Sequence, residues 1–196
     1  MVQVFPSSIA ASVFYLVYFL FIMSEVVGGA ILPRLHRRGT RIKEKDKGAS
    51  LMISMSLFVS VVIAFSFALS GIAMLPSWVF YPGIVLMFLG IMVRQWSMAV
   101  LGRFFSGTVG VQKGQKVVDT GPYRLMRHPA YTGGLLILAR IGLALQSWGA
   151  VLLLLLIIGP AYGYRIYVEE RVLVSELSDE YVKYTKRTKR LIPYVL

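Results

Sequence analysis

His128 and Pro129, followed by Ala130 and Tyr131, lie in the stretch "GPYRLMRHPAYTGG" (Gly121 to Gly134) at the mouth of a long apolar segment. A residue before proline is pushed out of helical dihedrals, whereas proline suits the first turn of a helix. A helix is therefore expected to start at Pro129, with His128 just outside it. The free amides of Ala130 and Tyr131 and the positive end of the helix dipole would then face the preceding loop, a ready anion site. Further on, Arg165 and Glu169 are four apart and share a helical face, with Glu170 pointing elsewhere. An arginine can orient a carboxylate, and a glutamate can accept from cationic or hydroxyl groups.

Each group also has a plainer reading. His128-Pro129 could be an interfacial cap, and Arg165 with Glu169 an ion pair at a membrane boundary. Tyr123, Tyr131, Tyr164 and Tyr167 could form an aromatic belt, and the basic run from Lys183 to Arg190 a lipid-facing patch. What favours chemistry is joint occurrence: a glycine-punctuated loop, a helix start and an Arg-Glu-Glu helix end on one membrane face make a site open to both a water-soluble cofactor and lipid.

The elements that must position these groups are apolar. With 196 residues, 57% hydrophobic and only 15% charged, the chain is long enough for one domain but too apolar for a soluble one. Apolar runs of roughly 18 residues or more can span a bilayer core. Ile9 to Leu32, Leu51 to Leu75, Val79 to Leu101, Tyr131 to Gln146 and Trp148 to Val168 read as five such runs, the fourth of them short. The first is followed by basic residues, whereas a cleavable signal carries its charge before the apolar core, so it reads as a retained span. Pro160, after Gly159, is expected to kink the fifth helix. The expected fold is thus an all-α integral membrane protein with about five transmembrane helices. It forms a single membrane domain over 1–196, with three spans in 1–101 and a loop, a helical hairpin and a tail in 102–196.

The net charge of +12 does not point to nucleic acid, because of where it lies. Of the 21 Lys and Arg, seven fall between Arg34 and Lys47, five between Arg103 and Arg127, and seven from Arg165 onward. Alternation along five spans places the N-terminus outside and the segments 33–50, 102–130 and the C-terminus in the cytoplasm. Basic clusters beside anionic lipid account for the charge. The absence of cysteine excludes disulfides and thiolate chemistry, and two histidines argue against a histidine-based metal site. Glu25, Arg94 and Arg140 lie within spans and must face partners or water; an interhelical pair and a functional role both stand open. The loop from Gly102 to Ala130 is rich in Tyr, Phe and Val, which argues against disorder, with extended backbone favoured at Val109-Val111 and Lys116-Val118.

"GPYRLMRHPAYTGG", followed by "EERVL" (Glu169 to Leu173) and "DEYVKYTKR" (Asp179 to Arg187), resembles the isoprenylcysteine carboxyl methyltransferase family of integral membrane methyltransferases. The wider superfamily, which includes phospholipid methyltransferases, shares the Arg-His-Pro-x-Tyr and Glu-Glu elements. The likeness covers Gln112 to Pro193. It implies S-adenosylmethionine as cofactor, bound by Gln112, Gln115, Lys116, Val117, Val118, Tyr123, His128, Pro129, Ala130, Tyr131, Glu169 and Glu170. Arg165 matches the family's substrate-orienting arginine, with Glu169 also at the reacting centre. The implied acceptor is lipophilic and arrives from the bilayer, a prenylcysteine or a lipid, with no metal and no nucleic acid. A carboxylate acceptor needs no base, being ionised at neutral pH; an amine acceptor, as in phosphatidylethanolamine N-methylation, would need Glu169 or Glu170. A nicotinamide-dependent sterol-reductase-like protein and a non-enzymatic membrane scaffold are the readings of other classes.

Overall fold

The computed structural model describes residues 7–31, 42–44, 46 and 48–193. Most of the first basic cluster, from Arg34 to Lys47, lies outside the described residues. α1 (Ser8–Glu25) starts where the Ser7 hydroxyl accepts from the Ala10 amide and passes into a π-turn, Val26–Ile31, so the first apolar run is not one regular helix. A short strand β1 (Ile42–Glu44) precedes α2 (Ala49–Leu69). α2 ends short of Leu75 because Gly71 and Ala73 take positive φ. α3 (Phe80–Leu101) leads into the long loop, which carries β2 (Gly110–Gln112) antiparallel to β1; Val109-Val111 thus overlaps a strand and Lys116-Val118 does not. α4 (Pro129–Ala144) begins at the proline, as the X-Pro rule requires, with His128 at φ −126° and ψ 53° just outside it. α5 (Trp148–Arg187) follows a tight turn capped by Ser147. Pro160 leaves its neighbours within helical dihedrals; the chain departs from them inside α5 only at Ser178, with φ 49° and ψ −130°.

Contacts between connections sort the ends of the bundle. Leu75 N–H donates to Gln146 O (2.6 Å) and Trp148 N–H to Ala73 O (3.1 Å), so the two charge-poor turns meet at one end. β1 meets β2, and the segment after α5 meets the start of α4, at the other. α4 runs between these ends in 16 residues, about 24 Å. Among the described residues, four helices are long and apolar enough to cross a membrane, and α4 is a shorter apolar one.

Apolar driving force between helices is weak in lipid, so close packing of small residues carries the association. A Cβ at Gly133 would sit 2.7 Å from Gly90 O, so these glycines let α3 and α4 touch along their backbones. Ala64, Ala68, Leu138, Leu145, Ala150 and Leu154 join α2, α4 and α5, while Phe58, Trp78 and Leu156 stay exposed on the outside, as lipid-facing side chains would be.

The charges within the spans are handled differently. Glu25 takes Arg94 in a two-point ion pair, Nε to Oε1 at 2.5 Å and Nη2 to Oε2 at 2.7 Å, while Arg94 Nη1 donates to Ala130 O (3.0 Å). Arg140 is fully buried and makes no hydrogen bond among the described residues. Its guanidinium lies 4.8 Å from the Phe14 ring centroid, a cation–π contact.

Candidate active site

At the end of the bundle that carries β1, the long loop and the tail, a cavity of about 270 Å³ opens between α2, α3, the loop, the start of α4 and α5. Its centre is a relay of three side chains. The Tyr131 hydroxyl donates to Glu169 Oε2 (2.7 Å) and accepts from Arg165 Nε (3.0 Å). Arg165 and Glu169 share a face of α5, as their spacing requires, but they meet through this phenol and form no direct ion pair. Glu169 Oε1 has no hydrogen-bond partner among the described residues, which leaves an acceptor for a ligand.

Arg165 is 5% exposed and held on every side. Nη1 donates to Ser50 Oγ and lies 3.4 Å from Asp46 Oδ1, and Nη2 donates to Gly107 O (2.8 Å). A guanidinium has five N–H donors; four have protein partners here. Two-point pairing with an incoming carboxylate would have to displace one of them, so single-point placement is what this geometry offers.

The helix start differs from its expected form. The Tyr131 amide is not free: it donates to His128 O (3.1 Å), tightening the first turn. His128 is buried, its ring 5.6 Å from that of Tyr131 and its Nε2 3.3 Å from Glu170 Oε1. Glu170 lies about 100° around the helix from Glu169 and does not line the cavity; it binds Arg127 Nε (2.8 Å) and Arg190 Nη2 (2.9 Å) as well. This carboxylate clamps the helix start rather than facing the cavity. Arg127 and His128 amides also donate to Lys189 O (2.7 Å) and Arg190 O (2.9 Å), so the segment after α5 straps the motif down.

Two further residues of the implied cofactor set stand off the cavity. Gln112 is buried beneath the loop, where its Nε2 donates to Arg103 O (2.6 Å) and its amide to Gln115 Oε1 (2.9 Å), closing the loop on itself. Pro129 sets the helix start and contributes no lining. Gln115, Lys116, Val117, Val118, Tyr123, His128, Ala130, Tyr131, Arg165 and Glu169 do line the cavity. Burial, with the nearby Glu169 charge, pushes the Tyr123 hydroxyl well above its ordinary pKa of 10.0, so it remains a neutral donor at physiological pH.

The matching family model is that of phospholipid methyltransferases, over residues 78–180, just over half of the chain. The chain belongs to this family. Within the wider set of relatives, it is 26% identical over 161 residues to protein-S-isoprenylcysteine O-methyltransferase B of Arabidopsis thaliana, covering 76% of this chain and 82% of that one. It is 30% identical over 109 residues to the protein-S-isoprenylcysteine O-methyltransferase of Schizosaccharomyces pombe, covering 55% and 46%. The fold resembles the solved structure of a eukaryotic intramembrane Ras methyltransferase, isoprenylcysteine carboxyl methyltransferase. That match has a TM-score of 0.54 at 23% identity over 74% of this chain, which spans about half (52%) of that protein's length. Likeness and helix composition together make this a multi-pass membrane protein.

In this member of the phospholipid methyltransferase family, one side of the site comes from residues that carry no motif. Ser50, Ile53 and Ser54 of α2, Arg94 of α3 and Tyr162 of α5 all line the cavity. Arg94 had a signal, as a charge inside an apolar run. Ser50 and its partner Asp46 had only a weak one, a polar Asp-x-Gly-Ala-Ser just before a helix. Nothing in the order of residues says that this helix start faces α5.

Proposed function

We propose that this protein is an S-adenosylmethionine-dependent methyltransferase acting on the carboxylate of an isoprenylcysteine or a similarly lipophilic acceptor. The observation that carries this is the Arg165–Tyr131–Glu169 relay in a cavity that also reaches the apolar α2 and α3. The groups present suit the cofactor: Glu169 Oε1 is an open acceptor for an ammonium or hydroxyl, His128 and Tyr123 supply polar atoms, and Val117, Val118 and Val172 supply apolar walls for a flat base. When bound, S-adenosylmethionine supplies an electrophilic methyl on its sulfonium.

The chain's part is to bind and aim. Arg165 places the acceptor carboxylate by one remaining N–H, which orients the nucleophile without quenching it, since a stronger pairing would lower its reactivity. Apolar residues around Leu101, Phe104 and Phe105 exclude water from that oxygen. The cavity end faces the cytoplasm and the N-terminus lies outside, a reading that the distribution of basic residues supports.

Isothermal titration of the purified protein with S-adenosylhomocysteine, with NADPH as the control, tests the cofactor: binding of the first alone is expected, and its absence from folded protein overturns the reading. Methyl transfer from labelled S-adenosylmethionine to N-acetyl-farnesylcysteine, set against phosphatidylethanolamine, tests the acceptor. The family match supports phospholipid N-methylation as the second reading. There the Glu169 carboxylate would receive the proton of the amine, with the Tyr131 hydroxyl able to relay it, and phosphatidylethanolamine would be the better acceptor.

A further inference from the structure

Asp46 lies two residues past β1 and three before α2, where the first inter-span segment meets the long loop, and it does not line the cavity. One carboxylate there collects donors from three parts of the chain. Oδ1 accepts from the Val109 amide (3.0 Å) and the Ser50 hydroxyl (2.8 Å) and lies 3.4 Å from Arg165 Nη1, while Oδ2 accepts from the Ser50 amide (3.0 Å). Among the described residues, Asp46 is the one acidic side chain in direct ionic contact with Arg165. Burying a guanidinium costs less where a compensating charge lies near it. Glu169 sits beyond Tyr131, so Asp46 is the group that supplies the charge directly.

The turn held by Asp46 returns to the same arginine. Gly107 O accepts from Arg165 Nη2 (2.8 Å), and Ser50 Oγ lies 3.0 Å from that carbonyl. Asp46, Ser50, Gly107 and Arg165 thus close a ring, and Gly107, Thr108 and Val109 form a wall of the cavity beside the arginine.

We propose that Asp46 is a positioning residue of this site: its carboxylate, acting through Ser50, the Gly107–Val109 turn and Arg165, fixes the direction in which the guanidinium meets the methyl acceptor. This rests on the reading of Arg165 as the group that places the acceptor. A plain helix-capping role is separable, because Asn caps as well as Asp. Asp46→Asn keeps the size, can hold the cap with its single oxygen on the Ser50 amide, and replaces the oxygen that faces Val109 N–H and Arg165 by an uncharged NH2 group.

Two measurements decide it. Hydrogen exchange of the 106–110 segment, in detergent and without cofactor, is expected to be about ten-fold faster in Asp46→Ala than in the parent. Unchanged exchange overturns the inference whatever the enzyme does. In the transfer assay, Asp46→Asn is expected to raise the acceptor KM about ten-fold, the loss expected for a charged hydrogen-bond partner, while the Kd for S-adenosylhomocysteine moves less than about three-fold. An unchanged KM, or equal weakening of acceptor and cofactor, overturns it. Effects of Asp46→Asn and Arg165→Gln are also expected to be non-additive; additivity counts against a shared pathway. If the parent binds no S-adenosylhomocysteine, the functional reading fails while the exchange result still decides whether Asp46 holds the turn.

Discussion

Tyr131→Phe removes one oxygen from the middle of the site and leaves every carbon in place. That oxygen accepts from Arg165 Nε (3.0 Å) and donates to Glu169 Oε2 (2.7 Å), so two hydrogen bonds to charged groups are lost together. Such a bond contributes about 1.5–3 kcal/mol. The two losses do not sum in full: Glu169 faces the cavity, where water can replace the phenol, whereas Arg165 is 5% exposed and its Nε–H is left without a partner. The net cost is thus that of one bond, about 1.5–3 kcal/mol, or about 10- to 150-fold in an equilibrium or rate ratio. The effect is expected in kcat/KM, measured with labelled S-adenosylmethionine and N-acetyl-farnesylcysteine, with a smaller rise in the S-adenosylhomocysteine Kd through Glu169. Wild-type kcat/KM in folded Tyr131→Phe protein would refute the relay as the working centre.

The two adjacent glutamates are expected to separate cleanly. Glu169→Gln should weaken S-adenosylhomocysteine binding at least ten-fold in titration while thermal unfolding changes little; Glu170→Gln should do the reverse, costing about 1–3 kcal/mol because it removes the carboxylate charge that Arg127 and Arg190 share. Glu25→Ala leaves Arg94 uncompensated among apolar helices and should cost about 3–5 kcal/mol, with much of the loss regained in a Glu25→Leu, Arg94→Met double variant, as read by unfolding in detergent. Burial pushes the Asp46 carboxyl up, but the Val109 and Ser50 hydrogen bonds and the Arg165 charge outweigh it and hold its pKa below the ordinary 3.8. A carboxylate with a depressed native pKa stabilises the fold above its unfolded value and loses that contribution as pH falls. The Tm advantage of the parent over Asp46→Asn should therefore be constant at neutral pH and shrink below about pH 3.8; a difference that grows on acidification contradicts this.

Much of the frame was legible because it depends on local rules. Long apolar runs predict membrane helices, and the helix start at Pro129 followed from the exclusion of His128 from helical dihedrals. The convergence of that start with Arg165 and Glu169 followed from the family's motif. The short π-turn after Glu25 and the positive φ of Ser178 were hidden, since apolar residues continue through both segments.

By itself, the order of residues determined which segments leave water, which end of each carries positive charge and where the helix after His128 begins, since hydropathy, charge and proline sterics act within a few residues. Only the tertiary structure decided the partner of each polar group. It turned Glu170 to the clamp and Glu169 to the cavity, because consecutive helical residues point about 100° apart and the neighbours on each side differ. It paired Glu25 with Arg94 and brought Asp46 and Ser50 to Arg165 from more than a hundred residues away. Where a buried charge meets a counter-charge, it does so wherever packing brings one, and no rule of local spacing contains that distance.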